Sequence, residues 1–269
     1  MSDDLRFAFG KNWRSFLDEL NEQRIKEAEQ SLAEKLSTDD LSGKTFLDAG
    51  CGSGLFSLAA HRMGAKVFSF DYDEDCVNCA KYLREKYTNN DKKWQVTQGS
   101  VLDKPFLATL GKFDIVYSWG VLHHTGDMYR AFANIHPLVK KKGSLFISIY
   151  NDQGTTSKIW TKVKKMYNDG GDGMRLFLTI ASLIRLWLLT FIKDLFKSGN
   201  PMKTWANYKD SNRGMSAWHD VVDWVGGYPF EVAKPEEVFD FFADKELTLD
   251  KLATCGGGLG CNEFVFVRN

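Results

Sequence analysis

Between residues 44 and 150, the chain alternates short runs of continuous apolar residues with stretches whose apolar residues recur at helical spacing. The runs at 45–48, 66–70, 94–97, 114–118 and 144–149 predict strands, and the spacing predicts helices over 55–63, 75–87, 105–110 and 128–140. Strand and helix in strict alternation build a mostly parallel sheet with helices on both faces, a doubly wound, Rossmann-like α/β fold. Such sheets bind ligands outside the carboxyl ends of their strands. Asp48, Asp71, Ser100, Ser118 and Tyr150 fall at or just beyond those ends.

The flanks follow other patterns. Trp13, Phe16, Leu17 and Leu20, then Ile25, Ala28, Leu32 and Leu36, recur at helical spacing in a charged background, and 39–43 ends that helix. Residues 1–42 are therefore expected to form an N-terminal helical lid, with Phe7, Phe9 and Trp13 either packed on the domain or closed over a ligand. The core proper is expected over 43–151. After Asn151 the alternation stops, and 152–233 reads as a helical cap insertion with an amphipathic segment at 158–167. A far more apolar segment, 176–196, has three readings: a cap helix, a membrane span interrupted by Arg185, or a helix at a membrane interface. In the last, Arg185, Lys193 and Lys197 meet headgroups while Leu183, Trp187, Phe191 and Leu195 dip inward. Over 234–269 a helix at 235–242 and strands at 247–254 and 263–267 complete the core, and the short glycine-rich link between those strands makes them antiparallel.

Composition narrows the class. At 269 residues and 43% hydrophobic, the chain can bury one large core plus a modest addition. Lys+Arg of 35 against Asp+Glu of 35 leaves no net charge, which argues against a nucleic-acid partner. Five cysteines without a disulfide-like spacing, behind a polar N-terminus with no secretory leader, predict a cytoplasmic protein, peripheral to the membrane if 176–197 lies at an interface. Cys76-x-x-Cys79 is read as core packing on a helix, with a zinc half-site completed by Cys255 and Cys261 as the alternative.

The densest chemistry lies in Asp48-x-Gly50-x-Gly52-x-Gly54, on a strand-to-helix turn. Glycines there permit positive φ and close approach to a ligand, and the helix that follows presents unpaired N–H groups. A dinucleotide turn has G-x-G-x-x-G spacing, and a phosphate loop ends in Gly-Lys-Ser/Thr; neither occurs here. Asp48 would repel a pyrophosphate and suits the ammonium of an amino-acid ligand. Asp71, closing the second strand, can accept both hydroxyls of a ribose at about 1.5–3 kcal/mol per charge-assisted bond.

These residues, together with Gln98-Gly99-Ser100-Val101-Leu102-Asp103 and Phe113-Asp114-Ile115-Val116-Tyr117-Ser118 followed by Leu122-His123-His124, resemble the class I S-adenosylmethionine-dependent methyltransferases. The similarity is closest to the branch holding the ubiquinone-biosynthesis O-methyltransferases, and it covers roughly residues 41–150. It implies a seven-stranded sheet with an antiparallel last strand and S-adenosylmethionine as cofactor. The resemblance places Gly50 and Gly52 beside the methionine portion, Asp48 near its amino group, Asp71 on the ribose and Tyr72 over adenine. The Val101 N–H meets a ring nitrogen, and Cys51, Gly54, Ser118 and Trp119 line the remaining cofactor surface. Ser100 stands where the family often has an acid.

Methyl transfer chiefly needs its reactants held in line, with a base as the secondary term. His124 is the preferred base because it matches the family's histidine, and its alternative role is to hydrogen-bond the turn. His123 and His219 are further candidates, and adjacent residues on a turn are expected to point apart. Relatives that use a divalent metal carry acids just before that histidine. Here Trp119, Gly120, Val121 and Leu122 offer no oxygen ligands, so turnover without metal is expected. Aromatic residues around 218–229 suggest an acceptor pocket, with Tyr150, Asn151, Arg213 and His219 as the polar groups. The expected reaction is O-methylation of a small aromatic, glycan-related or lipid-linked acceptor. The alternatives are a methyltransferase acting on RNA or protein, and a noncatalytic module that keeps the cofactor pocket; an amino-directed Asn/Asp-Pro-Pro-Tyr motif is absent.

Overall fold

Apolar runs of five to seven residues pair side by side, and the central ones, at 45–49 and 113–119, are buried on both faces. In the computed structural model, which describes residues 7, 10, 17, 20–208 and 217–269 (His219 by its backbone alone), the strands are β1 (Thr45–Ala49), β2 (Lys66–Asp71), β3 (Trp94–Gln98), β4 (Phe113–Trp119), β5 (Val139–Tyr150), β6 (Leu247–Ala253) and β7 (Cys261–Arg268). They form one seven-stranded sheet in the order β3-β2-β1-β4-β5-β7-β6, and β7 alone runs against the rest. The order reverses between β1 and β4, which opens a crevice at their carboxyl ends.

Alternation along the strands serves two cores. Phe46, Ile115 and Phe146 face α1 (Glu22–Leu36), α2 (Leu55–Arg62) and α3 (Glu74–Thr88), while Leu47, Val116 and Leu145 face α4 (Lys104–Leu110), α5 (Met128–Ile135) and α10 (Pro235–Ala243). In α1, Asn21 caps the N-terminus by accepting from Arg24 N–H, Ser37 in the left-handed region ends the helix, and Ile25, Ala28 and Leu32 are buried against α2. This stretch of the expected lid is thus a layer of the core. Phe9, Trp13 and Phe16 lie outside the described residues.

The helix expected over 128–140 is corrected: it stops at Ile135, and a 3-10 turn, His136–Leu138, follows. Pro137 has no N–H and disfavours helical backbone at the residue before it. β5 starts at Val139, five residues earlier than expected, and its polar opening Lys140-Lys141-Lys142-Gly143 hides it from an apolar pattern.

The chain leaves the sheet at Tyr150 and returns beside it. Ala233 N–H donates to the Tyr150 carbonyl at 3.0 Å, and Asp152 N–H donates to the Ala233 carbonyl at 3.2 Å. From this neck hang α6 (Thr155–Asp169), α7 (Asp172–Ser198), α8 (Lys203–Ala206) and α9 (Ala217–Gly226), with α6 packed on both α7 and α9.

Candidate active site

On one side of the crevice, the β1–α2 turn has Gly50, Gly52 and Gly54 at φ of 86°, 52° and 84°. Gly50 and Cys51 N–H groups donate to the Phe70 carbonyl at 2.8 and 3.1 Å, stitching the turn to β2. A Cβ on Gly50 would sit 2.3 Å from a Val121 methyl, and one on Gly54 would strike Ala80 of α3, so both positions need glycine for space as well as backbone. Asp48 is buried at the end of β1. Ser57 Oγ donates to it at 2.5 Å and accepts in turn from Ser69 at 2.6 Å, and Trp94 Nε1 donates to Ser69 at 2.8 Å. Asp71 accepts from Gly52 N–H at 2.9 Å and from Asp73 N–H at 3.0 Å.

These carboxyls are in an unusual electrical position. Burial raises Asp48 to about 7, with the Asp71 charge adding to it, and burial raises Asp71 to about 6, with Asp73 adding. Among the described residues, neither has an ion-pair partner within 4.0 Å. Among the described residues, the site lacks a positive charge.

Other expected cofactor residues fall around this pair. Tyr72 is 42% exposed beside Asp71, and its carbonyl accepts from Gln98 Nε2 at 3.0 Å. Gly99 N–H donates to the Asp71 carbonyl at 2.9 Å, bringing the β2 and β3 ends together. Ser100 Oγ accepts from Leu102 N–H at 3.1 Å, and Val101 is buried, its carbonyl held by Asn134 Nδ2 at 3.0 Å. Cys51 is buried and burial holds its thiol protonated. Ser118 and Trp119 are engaged within the sheet: Ser118 Oγ donates to the Ala49 carbonyl at 2.7 Å, and Trp119 Nε1 donates to Glu263 at 2.8 Å. Gly10 N–H donates to Asp73 at 2.9 Å, two residues beyond Asp71.

Across the crevice, β4 runs into a 3-10 turn, Leu122–His124. The two histidines do not point apart: their rings lie 4.5 Å apart at 61° and both meet Tyr150, at 4.0 and 5.4 Å. The Tyr150 ring packs on both, tilted against His123 and edge-on to His124. His124 Nδ1 lies 2.6 Å from the Pro229 carbonyl, which requires that nitrogen to carry the proton. His123 is fully buried, and burial, with His124 and Lys164 as nearby charges, keeps it neutral by holding its pKa well below the usual histidine value. Its Nδ1 accepts from Tyr150 N–H at 3.3 Å, so its proton belongs on Nε2.

Around Tyr150 the cap closes an aromatic wall of Trp224, Phe230 and, behind Trp224, Trp160, with ring centroids 5.3–5.4 Å apart along the chain of contacts. Lys164 of α6 is buried within it, its ammonium 4.2 Å from the Trp224 ring centroid and 4.7 Å from that of Phe230, donating to the Trp224 carbonyl. Burial lowers its pKa to about 7, with Asp223 opposing. Three buried atoms here have no partner among the described residues: His123 Nε2, Ser148 Oγ and Trp224 Nε1. Each can donate a hydrogen bond. These three donors have no acceptor among the described residues.

Asn151 belongs to the neck rather than the wall: its side chain bonds the Gly258 carbonyl at 3.2 Å and Asn262 at 3.0 Å. Arg213 and the His219 side chain lie outside the described residues. Cys76 and Cys79 are buried on α3. Lys164 escaped the sequence reading because 158–167 looks like an ordinary amphipathic helix, although Lys164 shares its buried face with Ser157 and Trp160. A lysine in an apolar stripe was the available signal. Val121 carried none, since only the fold brings it over Gly50.

A family model described as a methyltransferase domain matches residues 20–198. A ubiquinone biosynthesis O-methyltransferase of Coxiella burnetii is 33% identical over 132 residues, 49% of this chain and 51% of that protein. A ribosomal protein L11 methyltransferase of Helicobacter hepaticus is 38% identical over 84 residues, 31% of this chain and 25% of that protein. The matches to these curated relatives thus span about half their length or less. Among solved structures, the magnesium protoporphyrin IX methyltransferase of Synechocystis with bound SAH superposes with a TM-score of 0.53 at 15% identity, covering 91% of this chain and 83% of that one. An N-methyltransferase of Bradyrhizobium japonicum does so with 0.51 at 15%, covering 90% and 86%. At these identities the superpositions establish a shared fold.

Proposed function

The chain belongs to the methyltransferase-domain family, and from that premise we propose that it transfers a methyl group from S-adenosylmethionine to an oxygen of a small acceptor. The observation that carries this is the opposition of charge across the crevice. Among the described residues, buried Asp48 and half-buried Asp71 have no cation within 4.0 Å, and a ligand bearing an ammonium and a sulfonium supplies the charge they lack. Asp48, Gly50 and Gly52 would hold its methionine portion, Asp71 its ribose, and Tyr72, Ser100 and Val101 its adenine. Gly54, Cys51, Ser118 and Trp119 shape the floor of that site. When bound, S-adenosylmethionine presents a methyl group on a good leaving group for in-line displacement.

The chain's own residues then have two tasks. Holding the acceptor in line can supply about 7–11 kcal/mol of the barrier. Tyr150, Trp224 and Phe230 would enclose the acceptor, and His123 Nε2, Ser148 Oγ, Trp224 Nε1 and the Lys164 ammonium would donate to its oxygens. Removing a hydroxyl proton adds about 10²–10⁴-fold. We assign that role to His124, whose Nδ1–H on Pro229 makes Nε2 the basic atom; His219 is the second candidate, with Arg213 as a further acceptor contact. Trp119-Gly120-Val121-Leu122 carries no carboxylate, so turnover should survive EDTA. Inhibition reversed by magnesium would refute that part.

Within small acceptors, the aromatic wall favours an aromatic, glycan-related or lipid-linked molecule over an extended macromolecule, and the balanced charge of the chain disfavours RNA. The similarity to a ribosomal-protein methyltransferase supports a protein substrate as the second reading. Methyl-labelled cofactor incubated with fractionated cell extract separates the readings. Label in the small-molecule or lipid fraction is expected. Label in protein or RNA, or cofactor binding with no transfer, would overturn it.

A further inference from the structure

α7 is a 27-residue helix with one long side committed to the protein and the other bare. On the inner side Leu178, Thr179, Ser182, Trp187 and Asp194 are buried, with Trp187 against Trp205 and Tyr208 at 4.8 and 5.1 Å. On the outer side Phe177, Ile184, Leu188 and Leu195 form a ridge at i, i+7, i+11 and i+18, each exposed by 49–64%. At 1.5 Å per residue the ridge runs about 27 Å, and Leu189 and Phe196, 73% and 84% exposed, widen it. Contiguous apolar surface of this length marks an interaction site.

Charge identifies the occupant. Arg185, Lys193 and Lys197 are exposed along the border of the ridge, and the one acid between residues 173 and 197, Asp194, is turned inward, where it accepts from Thr204 N–H and Oγ–H at 2.7 and 2.8 Å. We propose that α7 seats this protein on an anionic lipid surface, its ridge in the acyl boundary and Arg185, Lys193 and Lys197 among the headgroups. A second copy fits less well, since a two-fold contact would bring these cations against their own copies. Spanning the bilayer would strip Asp194 from Thr204 and Trp187 from its aromatic partners. α6, which carries Trp160 and Lys164, packs directly on α7, so a surface-seated α7 brings the aromatic cluster around Lys164 towards the membrane. The inference stands apart from the methyl-transfer reading, because lipid binding needs no cofactor.

The test is co-sedimentation of the full chain, without cofactor, with phosphatidylcholine vesicles that contain or lack phosphatidylglycerol. Binding to the anionic vesicles is expected, weakened by salt and at least tenfold weaker on neutral ones. Leu188→Glu with Leu189→Glu should abolish it. Arg185→Glu with Lys193→Glu should weaken it about 30-fold or more, at about 1 kcal/mol per cation near the surface. Circular dichroism should show both variants folded. Failure of the wild type to sediment at low salt, self-association removed by the Leu188→Glu, Leu189→Glu pair, or protein extractable from membranes only with detergent would each overturn the proposal. Failure of methyl transfer in extract would leave vesicle binding untouched.

Discussion

The two walls of the crevice break opposite rules. At the β1 and β2 ends, one buried and one half-buried carboxyl have no cation among the described residues, and desolvation raises both; at the β4 and β5 ends, three buried donor atoms have no acceptor among the described residues, and a lysine is lowered to about 7. Buried polar groups are normally satisfied, and unsatisfied ones mark places where a ligand completes the structure. On the function proposed above, the difference assigns a partner to each wall: a cation to the first, an oxygen-bearing molecule to the second. Val121 joins them, packed on Gly50 and two residues before His123.

The largest expected break is Gly50→Leu. At φ 86° with Val121 at 2.3 Å, the substitution should abolish measurable cofactor binding, and about 1–3 kcal/mol of stability should be lost in thermal unfolding. Pairing it with Val121→Gly should recover part of the stability, since the clash is then removed, while strain in the left-handed backbone remains. Next, Asp71→Asn keeps the shape but removes the charge. Calorimetry should show cofactor affinity falling by about 10- to 100-fold, the worth of a charge-assisted bond.

The other wall is tested by Lys164→Met. Cofactor affinity should be unchanged while kcat/KM for the acceptor falls about tenfold, the worth of one hydrogen bond to a charged group. Because folding lowers this amine from 10.5 to about 7, the unfolded chain binds more protons between those values, so wild-type stability rises with pH over that window. That rise should be diminished in the variant. The smallest expected change is Ser57→Ala, which removes the 2.5 Å bond to Asp48. It should raise the Asp48 pKa further and lower stability by about 1 kcal/mol.

Much of the first wall was legible in the sequence. Asp48, the three glycines and Asp71 lie within one strand-turn-helix-strand unit, where spacing alone places them, and the five parallel strands follow from apolar runs that need no tertiary information. The second wall is assembled from distant segments. Tyr150 ends a strand, Lys164 lies in an insertion, and Trp224 and Phe230 return from the cap, so no local pattern brings them together. The histidine pair was located, but its packing around Tyr150 depends on the 3-10 turn, and the early start of β5 was masked by its three lysines.

The opposition of the walls is tested most directly by the pH dependence of S-adenosylmethionine affinity, measured by calorimetry from pH 5 to 8 on wild type and Asp48→Asn. Both carboxyls are raised above the ordinary value of about 3.9. Their contribution to the ligand-free fold is therefore fully present below about pH 4 and lost as pH rises through about 6 and 7. A cationic ligand binds the ionised pair, so wild-type affinity should tighten as pH rises through the same range, by up to about tenfold per unit for each carboxyl that must ionise, with proton release on binding. Asp48→Asn should show weaker binding and a shallower slope. A flat wild-type profile without proton release would contradict the account.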